Sequence, residues 1–155
     1  MEINNGDICP LIKVKSPVGI DFYTEHKRVI ESYGYVWFCR FGKNNMKRET
    51  LEKYSPFIII KESGVKYGGV FLASYSEISV DTMHQKMMPL YYKEIEQRPS
   101  LWFKVTQIEQ IDYSALLSCF IGNASGGNIE RIMKSMCPAF YIKCIEQKHD
   151  GCNTS

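Results

Sequence analysis

Two tryptophans and the cations near them are the residues of this sequence best suited to holding a ligand. Trp37 lies in the run Tyr35-Val36-Trp37-Phe38-Cys39-Arg40-Phe41, and Trp102 lies in Leu101-Trp102-Phe103-Lys104-Val105-Thr106. An indole beside a cation can stack on a nucleobase or close a cage around a methylated group, because its face is apolar and electron-rich. Tyr35, Tyr75 and Lys104 are candidate neighbours on the same surfaces. Strand alternation puts Trp102 on the face of Lys104 and Thr106, away from Phe103 and Val105. A ring between polar neighbours either lines a site or caps a core, and both readings stay open for Trp102. For Trp37, in a strand apolar on both faces, burial is the stronger reading.

A second constellation is the run Gly122-Asn123-Ala124-Ser125-Gly126-Gly127-Asn128. Small residues ahead of a helix leave backbone N–H groups free, and the helix dipole favours an anion there. Asn123, Ser125 and Asn128 would face a phosphate, with Arg131 and Lys134 in the turns that follow. The competing reading is an ordinary loop with Ser125 or Asn128 as helix cap. Arg40, Lys43 and Arg48 fall in another locally basic segment, opposed by Glu49 and Glu52. Together with Arg131 and Lys134 they are the candidate phosphate contacts. The same residues also suit a plain solvated face. A net charge of +2 names no partner, since a local basic face matters more than the total.

The sequence spells no catalytic motif. His26, His84 and His149 stand without a motif around them, and His26 and His84 read as solvent-facing helix residues. No serine sits in a GxSxG elbow, and Gly126-Gly127 lacks the GKS/T ending of a Walker loop. The six cysteines form no close pairs, which argues against a zinc knuckle or a CxxC redox site. No metal and no cofactor are expected, and a non-catalytic role is favoured. There is no charged leader followed by an apolar stretch, and no apolar run nears the ~20 residues of a membrane span. A cytoplasmic protein with reduced thiols and no membrane partner is the expectation.

The elements that must position these residues form one domain over 1–155, with an ordered core over about 20–146 and a loose tail over 147–155. The first twenty residues read as irregular, with a short strand at Leu11 to Val14 punctuated by Pro10 and Pro17. A helix capped by Thr24 runs to Tyr33, with Val29, Ile30 and Tyr33 as its apolar stripe and Gly34 as its stop. Strands follow at 35–41, 57–61, 70–78, 101–108 and 139–145. In 70–78, Val70, Leu72 and Ile78 share one face, and Phe71, Ala73 and Tyr75 the other. Helices are expected from Asn44 or Asn45 to Tyr54, from Asp81 through Met83, Met87, Leu90 and Tyr91, at 113–119, and from Asn128 to Met136 with Ile129, Ile132, Met133 and Met136 inward. The fold class is α+β: a small mixed, barrel-like sheet of five to seven strands with flanking short helices.

The order of these elements resembles the PUA-like superfamily, especially its EVE and YTH-type branches. The resemblance is carried by the aromatic strand Tyr35-Val36-Trp37-Phe38, the Gly-led strand Gly69-Val70-Phe71-Leu72-Ala73, and Leu101-Trp102-Phe103-Lys104-Val105 with Ile108, Ile111 and Asp112. It covers about 35–145. It implies a small β-barrel with a pocket that accepts a modified base from DNA or RNA without catalysis, walled by aromatics and rimmed by cations. By position those aromatics are Trp37, Tyr75 and Trp102. Two other classes stay open. One is a protein-interaction or inhibitor module, of a host or phage defence kind, using the Met and Tyr surface from Met83 to Tyr92. The other is a nucleotide or small-molecule binder using the 123–128 loop. A hydrolase of the ASCH kind would need a Lys or Tyr to act.

Overall fold

Isoleucine and aromatic runs with apolar residues at every position cannot leave either face in water, so they sit in the middle of a sheet covered on both sides. Phe57–Glu62 (β3) and Val70–Ser79 (β4) open with such runs, Phe57 to Ile60 and Val70 to Ala73, and they pair antiparallel. The computed structural model describes residues 2–43, 45–80 and 86–145. In chain order the other strands are Ile8–Val14 (β1), Val36–Phe41 (β2), Pro99–Gln110 (β5), Phe120–Gly122 (β6) and Ala139–Cys144 (β7). The helices are Phe22–Tyr33 (α1), Arg48–Lys53 (α2), Tyr113–Cys119 (α3) and Ile129–Met133 (α4), with a 3-10 helix at Leu90–Glu94. The seven strands form one sheet in the order β2-β5-β4-β3-β1-β7-β6, mixed because β1 runs parallel to β3.

The N-terminal segment is a strand of the sheet interior, where the sequence suggests mostly irregular chain. β1 pairs with β3 on one side and β7 on the other. Pro10 is tolerated for a local reason. The carbonyls of Ile8 and Val14 face the β3 side, where they accept from the Ser55 and Ser63 N–H groups. Pro10 shares their parity, so its missing N–H falls on that side, and pairing with β3 begins only at Leu11.

Two cores flank the sheet. Ile58 and Ile60 pack with Phe71, Phe38 and Phe103 under Phe22 of α1 and Leu51 of α2. Ile59 and Leu72 pack on the opposite face under Leu116 of α3 and Ile129 of α4. Each such side chain contributes roughly 1.5–3 kcal/mol when fully buried. Register shifts after Ser74 and Tyr75 carry Ile78 to the face of Phe71, not that of Val70, so the strand does not alternate cleanly to its end.

The sheet curls but does not close. Val36 and Phe38 of β2 share a core with Ala139 of β7, near the far end of the strand order. Yet β2 pairs only with β5, and β6 only with β7 among the strands, so the expected barrel is here an open seven-stranded mixed sheet with four short helices among the described residues. No helix among those residues is long and apolar enough to cross a membrane.

Four helices depart from expectation, the first being α2, which begins only at Arg48 with Lys47 and not Asn45 at its N-cap. α1 starts earlier because Asp21, not Thr24, is the cap: its carboxylate accepts from the Thr24 N–H at 3.0 Å and from the Thr24 hydroxyl. Its buried residues are Phe22 and His26, while Tyr33 is exposed. α4 is five residues long and buries Ile129. Ile132 is half-buried, and Met136, beyond the helix end, is almost fully exposed. The helix expected from Asp81 has its first turn outside the described residues; its second half is the 3-10 helix that follows Pro89. The tail from 147 also lies outside them.

Candidate functional site

Four separate segments meet where β2 ends. The loop after β1 brings Lys15, Ser16 and Pro17. The end of β2 brings Cys39, Arg40, Phe41, Gly42 and Lys43. The 3-10 helix brings Tyr91 and Tyr92, and the start of β7 contributes Pro138. They enclose a pocket of about 370 Å³, with Phe22 and Phe38 at its base. That volume lies in the range of small-molecule sites, at the small end. Among the described residues, its lining includes the cations Lys13, Lys15, Arg40 and Lys43 and no carboxylate.

The aromatic wall is built on a buried tryptophan. The Phe41 ring meets Tyr92 edge-on at 5.0 Å, and both lie over Trp102, at 6.4 and 6.2 Å. Phe41 is half-buried, so its ring can meet a ligand, whereas Tyr91 and Tyr92 are almost fully enclosed. Tyr92 is fixed by hydrogen bonds. The Phe22 carbonyl can only accept, so His26 donates to it through Nδ1–H at 2.9 Å. His26 Nε2 then accepts from the Tyr92 hydroxyl at 2.9 Å, and that oxygen accepts in turn from the Cys39 N–H at 3.1 Å. His26 is therefore a buried neutral imidazole, not a surface residue, and burial lowers its pKa to about 4.

The remaining groups of the pocket set its chemistry. Burial pushes the Cys39 thiol up to about 12, which leaves it protonated and a poor nucleophile at neutral pH. Arg40 is almost fully buried and donates to Asn45 Oδ1 at 2.9 Å. Burial also lowers its pKa from the free value, though a guanidinium keeps its charge at neutral pH. Lys15 and Lys43 are exposed at the rim. Among the described residues no group of three or more His, Cys, Asp and Glu could hold a metal. Cys9, Cys39, Cys137 and Cys144 are free thiols.

Of the ligand and phosphate contacts expected from sequence, Arg40 and Lys43 line this pocket and the others do not, while Tyr91 and Tyr92, expected at a protein-contact surface, also line it. Trp102 is fully buried and Trp37 nearly so, both in a cluster with Cys39, Tyr91 and Tyr92. The polar neighbours of Trp102 did not expose it, because the 3-10 helix covers that part of the sheet. Tyr75 belongs to the central core and touches Phe103 at 5.1 Å. Lys104 holds its ammonium 4.5 Å from the centre of the Tyr35 ring and 3.9 Å from Glu77. Arg48 is exposed on α2 and pairs with Glu52 at 3.3 Å.

The 123–128 loop is occupied by its own bonds. The Gly126 N–H donates to Gly122, the Gly127 N–H to Ser125 Oγ, and the Asn123 N–H to Tyr141. Asn128 caps α4 through Arg131 N–H at 3.3 Å. Arg131 and Lys134 are exposed beyond it. The groups a phosphate would use are thus largely taken. The pocket itself escaped the sequence reading because its segments are remote; the one local signal was the pair Tyr91-Tyr92 after Pro89.

No family model, no curated protein and no solved structure matches this chain.

Proposed function

We propose that the chain is a non-catalytic binding domain that takes a nucleobase, of the modified-base class, from nucleic acid into the pocket at the end of β2. The observation that carries this reading is the lining: among the described residues it combines aromatic rings with four cations and no carboxylate. A flat ring fits against Phe41, and the phosphates next to it fall to Lys15 and Lys43. The small volume suits one ring system. The resemblance of the aromatic, Gly-led and Trp-Phe-Lys strands to the PUA-like superfamily implies the same class of ligand but seats it at Trp37, Tyr75 and Trp102, which are buried here, so the pocket at the end of β2 rests on its own lining. The inert Cys39 thiol speaks against a covalent step by that residue.

A second reading has one observation in its favour. Val18 and Leu90, next in sequence to the lining residues Pro17 and Tyr91, are strongly exposed. A protein partner, as in an inhibitor module, would cover them.

Salt separates the two. Neutralising three or four phosphates of a single strand gives a slope of log K against log salt of roughly −2 to −3. The double substitution Lys15→Ala/Lys43→Ala should make that slope shallower by roughly 1.4 and weaken all base sequences alike. Fluorescence anisotropy with a labelled oligonucleotide across a salt series checks this. Binding that ignores salt and both lysines would contradict the nucleic-acid reading.

A further inference from the structure

A second depression adjoins the first. It has a volume of about 480 Å³ and lies between the β3–β4 turn and α4. Lys13 lines both depressions, so the two are neighbours along the end of β1. Its ammonium donates to the Met133 and Ser135 carbonyls at 2.7 and 2.9 Å, which pins the charge at the junction and leaves one N–H over. Lys66 and Lys134 are exposed on the far side. Two carboxylates, Glu62 and Glu130, also line it, and Glu130 accepts from the Tyr113 hydroxyl at 3.2 Å. Among the described residues, cations therefore outnumber carboxylates along the whole path.

This depression also carries an unusual ring. Tyr67 is 65% exposed on the β3–β4 turn, with the Lys66 ammonium over its ring 5.2 Å from the centre and the Tyr113 ring steeply inclined to it at 5.8 Å. At that exposure much of the ring surface stays open beside the cation. An exposed ring held in place beside cations is what stacking on a base requires.

We infer that the two depressions form one groove for a single-stranded nucleic acid: one base enters the pocket beside Phe41, the backbone crosses at Lys13 past Lys15 and Lys66, and a further base stacks on Tyr67. This rests on the pocket reading for one end of the strand only. A chain of phosphates suits an elongated basic path better than a folded acidic protein would, because charge and stackable rings repeat along it.

The test uses the full chain, a nucleoside monophosphate, a single-stranded oligonucleotide of about ten residues, and polyglutamate as a polyanion without bases. Tyr67→Ala is expected to weaken the oligonucleotide about 5- to 150-fold and leave the mononucleotide unchanged. Lys66→Glu/Lys134→Glu should weaken the oligonucleotide and flatten its salt dependence, with circular dichroism and melting confirming the fold. If both variants bind the oligonucleotide like the parent while Phe41→Ala loses it, the groove is wrong and the pocket stands. If Phe41→Ala keeps both ligands while Tyr67→Ala loses the oligonucleotide, the groove stands and the pocket reading fails. Polyglutamate binding as tightly as the oligonucleotide, or no oligonucleotide binding by the parent, overturns the groove.

Discussion

Trp102→Ala should destabilise the domain by about 3–5 kcal/mol, the range for deleting a large aromatic from a packed core. The ring has no accessible surface, and Phe41 and Tyr92 pack on it. Its removal leaves a cavity that the sheet backbone on one side and the tethered Tyr92 on the other cannot readily fill. For a domain of this size, the loss lowers the melting temperature by roughly 6–20 °C. Ligand binding should fall as well, measured at a temperature where the variant is folded, because Phe41 and Tyr92 lose their support. Chemical denaturation gives the first number and anisotropy the second. An unchanged denaturation midpoint would show that the ring is not in the core, and would return Trp102 to the list of ligand contacts.

Acid should weaken the fold well above the range where carboxylates titrate. In the folded chain His26 takes up a proton only near pH 4, whereas a free histidine does so near 6.5. Its folded pKa is the lower of the two, so the unfolded state binds more protons in between. Stability contributed by the neutral imidazole is complete above about pH 6.5 and is lost as pH falls toward 4, at about 1.4 kcal/mol per unit. Between pH 7.5 and 5 the loss is about 2 kcal/mol, and it approaches about 3 kcal/mol at pH 4. Glu62, whose carboxyl is raised by burial, acts in the opposite sense at the acid end. His26→Gln removes the titrating ring, so the difference between parent and variant isolates the histidine. Urea midpoints at several pH values read this out. A parent whose stability is level from pH 7.5 to 5 would contradict the buried neutral imidazole. The same protonation would turn the His26–Tyr92 bond around, with Nε2–H donating to the hydroxyl oxygen, so the bonding of the pocket wall and the fold are linked to one proton.

How far the sequence foretold this structure depends on how local each signal was. β2, β3 and β5 were legible because runs of β-branched and aromatic residues are local signals, and α3 fell where expected. β1 was obscured by Pro10, a residue that usually ends a strand and here only faces an unpaired stretch. β6 has three residues, too few for any periodicity. Trp102 was misleading for a different reason. Alternation correctly placed it opposite Phe103, but nothing in the strand says that a 3-10 helix distant in sequence covers that face. His26 was misread similarly, since its partners are the carbonyl of Phe22 one turn back and a tyrosine 66 residues away. The glycine-rich loop had the composition of an anion site, yet its N–H groups are turned inward on Gly122, Ser125 and Tyr141. For the pocket, Arg40, Lys43 and the Tyr91-Tyr92 pair were legible one by one but not as a group, because they and the lysines at 13 and 15 join through sheet topology and not through spacing.

Amide chemical-shift mapping with a single-stranded oligonucleotide tests the binding site most directly. Titration into the labelled protein should move the amides of Lys15, Cys39, Phe41, Gly42, Lys43 and Tyr91 first and furthest, at a salt concentration where binding is not saturated by non-specific contacts. Shifts confined to the 123–128 loop, or to the surface around Tyr54 and Tyr75, or no shifts at all, would contradict the pocket at the end of β2 as the site.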